Sequence, residues 1–331
     1  MINRSQAKLS LLIFAGMLFP LWTLAQSITA SFDPTDFVRM PAAASWRDTK
    51  GIGGTYREAS GNRSIDGNET HKYDISASSA NLHLKFSNVS FDAGVGQWSN
   101  SITTEQQQNI PMLLDQSIGR INLSLLGNEF VSVGLGAWEN DRHEYHDATD
   151  DNRHITESAI VGSISVKVFD FLYLGAGYER VKEKSDGRVD NHWNNVLVGA
   201  SAMFGDPGGT RLRLEYSFFN SPKAESDSQG MLKESVHNEI QTNSYSAELM
   251  LNGLLFVGRG SEEKLFFDDP VSLQPGGKEY DVLTLASNEA GVLWVPENGI
   301  VLGFFFATTK TTLMFEDETS EFRINVGYIF E

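Results

Sequence analysis

The stretch "TRLRLEYSFF", Thr210 to Phe219, decides how the rest of the chain is read. Leu212, Leu214, Tyr216 and Phe218 alternate with Arg211, Arg213, Glu215 and Ser217, so an extended strand holds the apolar groups on one face and the charges on the other. A soluble sheet satisfies that pattern by packing its apolar face on a core. A strand with lipid on one side and water on the other satisfies it equally well. The solvent that meets the apolar face therefore sets the fold.

The pattern recurs along the chain. In "NLHLKFSNVSF", Leu82, Leu84 and Phe86 alternate with His83, Lys85 and Ser87, and in "SISVKVF", Ile164, Val166 and Val168 alternate with Ser163, Ser165 and Lys167. The final "EFRINVGYIF" places Phe322, Ile324, Val326, Tyr328 and Phe330 opposite Arg323, Asn325 and Gly327. No amphipathic helix interrupts the series. Brief turns fall at 87–89, 126–129, 169–171, 205–209 and 296–299, where Gly, Pro, Asn and Asp supply the backbone angles. Longer polar loops fall near 60–71, 99–117, 140–155, 182–191 and 220–242.

The two ends and the composition narrow the choice. Arg4 and Lys8, an apolar run from Leu9 to Leu21 and the small-residue step at Ala25 have the layout of a secretory signal, residues 1–25. No later apolar run approaches the roughly 20 residues that a membrane helix needs. The chain has no cysteine, so no disulfide framework stabilises it. Its formal charge of −17, without a basic block, argues against nucleic acid as a partner. Of the glycosylation-type sequons at Asn62, Asn68, Asn88 and Asn122, several fall at tight turns or strand interiors, and the set reads as chance in an Asn- and Ser-rich chain.

Short and long connections alternate, and a soluble sandwich has no reason to gather its long loops at one end. An outer-membrane barrel does, because its periplasmic turns are short and its extracellular loops long. The expectation is an all-β, transmembrane antiparallel β-barrel of about 14 strands, with 12 as the alternative, because "KLFFDDPVSL" reads either as a short strand or as a folded loop. The barrel occupies 47–331, in the cell outer membrane of a Gram-negative envelope, with outer-membrane lipid as its surroundings. Trp98, Trp138, Trp193 and Trp294 lie near strand ends and are expected in interfacial girdles. Lys85, Arg120, Lys167, Phe171, Tyr173, Arg211, Arg213, Glu215, Glu248, Phe305 and Arg323 are expected to face the lumen, the charges pairing across strands or meeting water. The apolar members line an internal path or pack against the N-terminal segment.

Residues 26–46 do not alternate. "FDPTDFVRMPAAASW" mixes Phe32, Phe37, Val38, Met40, Pro41 and Trp46 and directly precedes the first strand, expected from about Gly51 to Ala59. It reads as an irregular luminal plug, or else as a periplasmic tail, since irregular backbone at membrane depth must be shielded by protein or wetted in a cavity. Here the chain resembles the outer-membrane transport proteins that include the long-chain fatty-acid transporters, which carry an Asn-Pro-Ala motif shortly before the first barrel strand. Pro41-Ala42 matches, while Met40 stands where the Asn would be. The resemblance implies a fourteen-stranded barrel, partly closed by its N-terminal segment, that passes small hydrophobic molecules. A general diffusion porin and a structural or surface-binding protein are the alternatives. Barrels commonly end on an aromatic residue read by the outer-membrane assembly machinery; here Glu331 follows Phe330.

No cofactor motif is present. "GASAM" around Ser201 lacks the second Gly of a nucleophile elbow, and no catalytic constellation is legible, so an enzyme is the lesser reading. The cluster "DRHEYHDATDDNRH" offers His143, His146, Asp147, Asp150, Asp151 and His154, but no recognised metal spacing is met, and a solvated loop with no metal is expected.

Overall fold

A computed structural model describes residues 31–33, 38–47, 49–65, 68–104, 112–146, 153–185, 191–205, 209–222, 225–226, 239–271, 280–312 and 316–330. The signal expected at 1–25, Phe37 and the loop acids Asp147, Asp150 and Asp151 lie outside the described residues.

Fourteen long strands form one antiparallel meander: β1 Lys50–Ile65, β2 Asn68–Phe86, β3 Val89–Thr104, β4 Met112–Asn128, β5 Val131–His146, β6 Arg153–Phe169 and β7 Leu172–Ser185 make the first half. The second half is β8 Asn191–Gly205, β9 Arg211–Ser221, β10 Glu239–Leu251, β11 Leu254–Val271, β12 Tyr280–Trp294, β13 Gly299–Thr312 and β14 Glu316–Phe330. Each strand pairs with its successor, and β14 returns to β1, with Lys50 opposite Phe330, so the sheet closes. Closure removes the sheet edges that lipid cannot hydrate. A two-residue segment, Glu225–Ser226, adds a short rung to β8. The Lys264–Val271 part of "KLFFDDPVSL" belongs to β11, whose register against β12 shifts between Phe266 and Val271, and this supports the count of 14 over 12.

The side-chain faces follow the period of two. On β9, Leu214 is 43% and Tyr216 52% exposed, while Arg213 is 1% and Glu215 9% exposed. The apolar face therefore looks out, and a continuous exposed wall of Leu, Ile, Val and Phe is stable only against lipid. Tyr216 and Tyr245 lie on this face, their hydroxyls donating to the outward Asn243 (2.6 Å) and Asn288 (3.2 Å). Trp294 also faces outward. Trp98, Trp138 and Trp193 correct the girdle expectation: the parity of their strands turns them inward, where Trp98 and Trp193 are buried and Trp138 is half-buried.

The tight turns have local causes. Asn252 and Gly253 both have positive φ (48° and 83°), the requirement of a two-residue primed hairpin, at a place that alternation alone passes over. At the β4–β5 turn, the Asn128 carboxamide oxygen accepts from the amides of Phe130 (2.8 Å) and Val131 (2.9 Å).

Candidate functional site: the lumen and its N-terminal segment

Residues 31–33 and 38–47 lie in the lumen, and the inward side chains of the wall bind them. Pro41 opens a six-residue 3₁₀ helix, Pro41–Trp46, where its fixed φ suits a first helical position and its missing N–H costs nothing. Ala42, Ala43 and Ala44 then give the helix a thin profile, and all three are buried. The wall opposite is equally thin. A Cβ on Gly134 would lie 2.7 Å from Pro41 Cβ and closer still to the Ala42 nitrogen; one on Gly136 would lie 2.9 Å from Pro41 Cγ. Only glycine permits this approach.

Serines complete that seat. The Ala42 amide donates to Ser163 Oγ (2.8 Å), and Ser132 Oγ donates to the Ala42 carbonyl (2.9 Å). Ser45 Oγ donates to Ser124 Oγ (2.9 Å), and Trp46 Nε1 donates to Ser165 Oγ (3.0 Å). The segment is too short to satisfy its own backbone, so the wall supplies the partners that burial demands. Asn122 Nδ2 donates to the Val38 carbonyl (2.8 Å), and Lys85 Nζ to the carbonyls of Ser45 (2.9 Å) and Arg47 (3.2 Å).

Charges hold the far side. Glu248, fully buried, accepts from Ser31 Oγ (2.6 Å) and the Phe32 amide (2.7 Å), and pairs with Arg213 (3.0 Å) and Arg259 (3.6 Å). Arg213 also pairs with Glu215 at short range. Arg259 (3.4 Å) and Arg323 (2.6 Å) share Glu289, and the Arg323 guanidinium lies 3.8 Å over the Phe305 ring. Asn325 Nδ2 donates to Asp33 Oδ2 (3.1 Å). Nearer the middle, Arg39 and Arg120 share Glu179, at 3.2 and 3.4 Å, and Arg39 stacks 4.1 Å over Phe219.

Other residues singled out in the sequence fall as follows. Tyr173 meets Trp46 edge-on at 5.1 Å between ring centroids, and Arg211 lies 5.7 Å over the Phe32 ring. Lys167 pairs with Asp170 in the turn below (3.3 Å). Phe171 is a correction: it sits in the β6–β7 turn, exposed, stacked on Phe169 (5.9 Å) and on Phe204 of the outward face (5.4 Å). A register shift after Lys167 breaks the alternation there, so strand parity does not extend to the turn.

Above the segment, one row of the inner wall is apolar. Trp138, Ala159, Val181 and Trp193 are successive cross-strand partners on β5 to β8 and pack together. Below it, Val38, Met40, Ala43 and Ala44 pack against Leu197 and Phe219. The Arg39–Glu179–Arg120 cluster lies between these two apolar surfaces.

Solved structures share this arrangement of strands. The toluene transporter TodX of Pseudomonas putida aligns over 93% of this chain and 96% of its own, with a TM-score of 0.57 and 11% identity. A FadL homologue of Pseudomonas aeruginosa aligns over 94% and 97%, with a TM-score of 0.60 and 10% identity. The chain has the fold of these proteins. The toluene transporter TbuX of Ralstonia pickettii aligns over 88% and 92%, with a TM-score of 0.58 and 10% identity. No protein-family model matches the sequence, and no curated protein sequence does.

The glycine and serine seat is the feature that alternation misses. Its signal was present in "VSVGLGAW", where the inward positions of β5 are Ser132, Gly134 and Gly136, too small to fill a lumen unless something else does.

Proposed function

We propose that this chain is an outer-membrane channel for small hydrophobic molecules, assembled by the outer-membrane assembly machinery, in which residues 31–47 close the lumen. The supporting observation is the apolar row of Trp138, Ala159, Val181 and Trp193 directly above a segment that the wall binds on nearly every side. A water-filled pore gains nothing from a tryptophan-lined inner wall, because apolar surface in contact with water is unfavourable. Ala159, Val181 and Trp193 are buried by their neighbours, so the half-buried Trp138 is the member of the row that offers apolar surface to a small apolar ligand. Movement of the segment opens the path onward. The neighbours with this fold include toluene transporters, which agrees with a ligand of that chemical class.

Deleting residues 27–45 while retaining the signal tests the reading. The intact barrel is expected to conduct ions poorly in a planar bilayer, and the deleted form is expected to conduct steadily and to change the uptake of a hydrophobic probe. Steady conductance by the intact protein indicates a diffusion porin. Unchanged conductance and uptake in a properly inserted deletion mutant refute closure by this segment.

A further inference from the structure

The strands outrun the membrane on the side of the long loops. A tilted strand crosses the hydrocarbon in roughly 9–11 residues. Counted from Val131, β5 leaves it near Glu139 to Asp141; counted back from Phe169, β6 leaves it near Val161 to Ala159. His143 and His154, directly paired across these two strands, therefore stand above the apolar band on the outward face.

Their rings are stacked, with centroids 4.3 Å apart and planes 9° from parallel. Both present Nε2 to the Asp141 carboxylate: His143 Nε2 is 3.4 Å from Oδ2, and His154 Nε2 is in short contact with Oδ1. One ligand atom from each of the three residues lies within 4.8 Å of the others. Zinc binds imidazole nitrogen and carboxylate oxygen at about 2.0–2.2 Å, so tetrahedral ligand atoms stand roughly 3.3 Å apart. The three side chains thus need only small rotations to surround an ion. Asp115, paired with His143 from the other side, shares an open hollow of about 400 Å³ with Asp141 and His143. That hollow leaves room for a further carboxylate or for water in the fourth position.

We infer that Asp141, His143 and His154 form a binding site for a divalent transition-metal ion of the zinc class on the outer rim of the barrel. The chemistry of the donors selects the ion: two imidazoles and one carboxylate suit zinc, nickel or copper, whereas magnesium and calcium prefer oxygen alone. An ion there ties β5 to β6 just below their loop. Spacing along the chain hides the site, because its two histidines are neighbours through the ladder and stand on opposite sides of that loop. This inference does not rest on the transport reading.

The test is titration of the full mature protein in detergent, using zinc chloride for calorimetry and cobalt(II) for visible absorption. One zinc ion per chain and an absorption spectrum of tetrahedral, nitrogen-ligated cobalt are expected. Loss of an outer-shell partner already costs about 10–100-fold in affinity, and a direct ligand contributes more, so His143→Ala and His154→Ala should each lose at least about a hundredfold. His192→Ala, an outward histidine on β8, should change nothing, and nor should combined replacement of His146, Asp147, Asp150 and Asp151. Retained heat-modifiable migration on gels shows that each variant barrel is folded. Absence of zinc binding, undiminished binding by the His143 and His154 variants, or loss only in the loop variant would each overturn the site.

Discussion

On the β4–β6 side of the lumen the N-terminal segment meets Gly134, Gly136 and the hydroxyls of Ser124, Ser132, Ser163 and Ser165. On the β10–β14 side it meets Glu248, Arg259 and Asn325. The same piece of chain is thus held by fit on one side and by charge on the other. Fit comes from residues with almost no side-chain entropy to lose, so the backbone sits against the wall at little conformational cost. Charge comes from long side chains that are expensive to desolvate, and each must keep its partners. The difference predicts that damage to the charged side is energetic, and damage to the small-residue side is geometric.

Removal of Glu248 should give the largest effect. Glu248→Ala takes away the carboxylate that Arg213 and Arg259 share and that Ser31 and Phe32 bind, and breaking a buried pair costs about 3–5 kcal/mol. The drop should appear in the urea midpoint of the barrel refolded into lipid vesicles. A midpoint close to that of the wild type would mean that this side is not the energetic one.

Gly134→Val comes next. Its added atoms collide with Pro41 and Ala42, and overpacking of this kind costs about 1–3 kcal/mol where nothing can yield. Here the segment can yield, so the barrel should retain its sheet signal in circular dichroism while its ionic conductance rises. A closed, stable variant would show that the seat is not what holds the helix.

The smallest effect belongs to the hydroxyls. Ser163→Ala removes the acceptor of the Ala42 amide, at about 1 kcal/mol, or roughly fivefold faster hydrogen exchange at that amide. An exchange rate unchanged from the wild type would mean that glycine fit alone fixes the segment.

Much of the fold was legible because a β-strand has a period of two whatever surrounds it. Arg213 and Leu214 must face opposite ways, and the lopsided loop lengths said which face meets lipid. The turns of the chain carried their own signals in Asn, Gly, Asp and Pro, and the N-terminal segment was recognisable by its lack of alternation. The tryptophans were misassigned because nearness to a strand end was weighed above parity. Trp138 shares the parity of Ser132, Gly134 and Gly136 on β5 and turns inward with them, as Trp98 and Trp193 do on their own strands. Phe171 failed for a different reason, since the period lapses where the ladder shifts.

The sequence by itself determined a closed membrane barrel with a charged inner face and an irregular segment at its mouth, because alternation, turn chemistry and loop length are local properties. Only the tertiary structure decided what meets what inside and above it. Glu248 serves Ser31 across more than two hundred residues, Gly134 makes room for Pro41, and His143 stacks on His154 because strand pairing brings distant positions side by side. Cross-strand neighbours are set by the register of the whole sheet, and that register follows from ring closure rather than from any one strand.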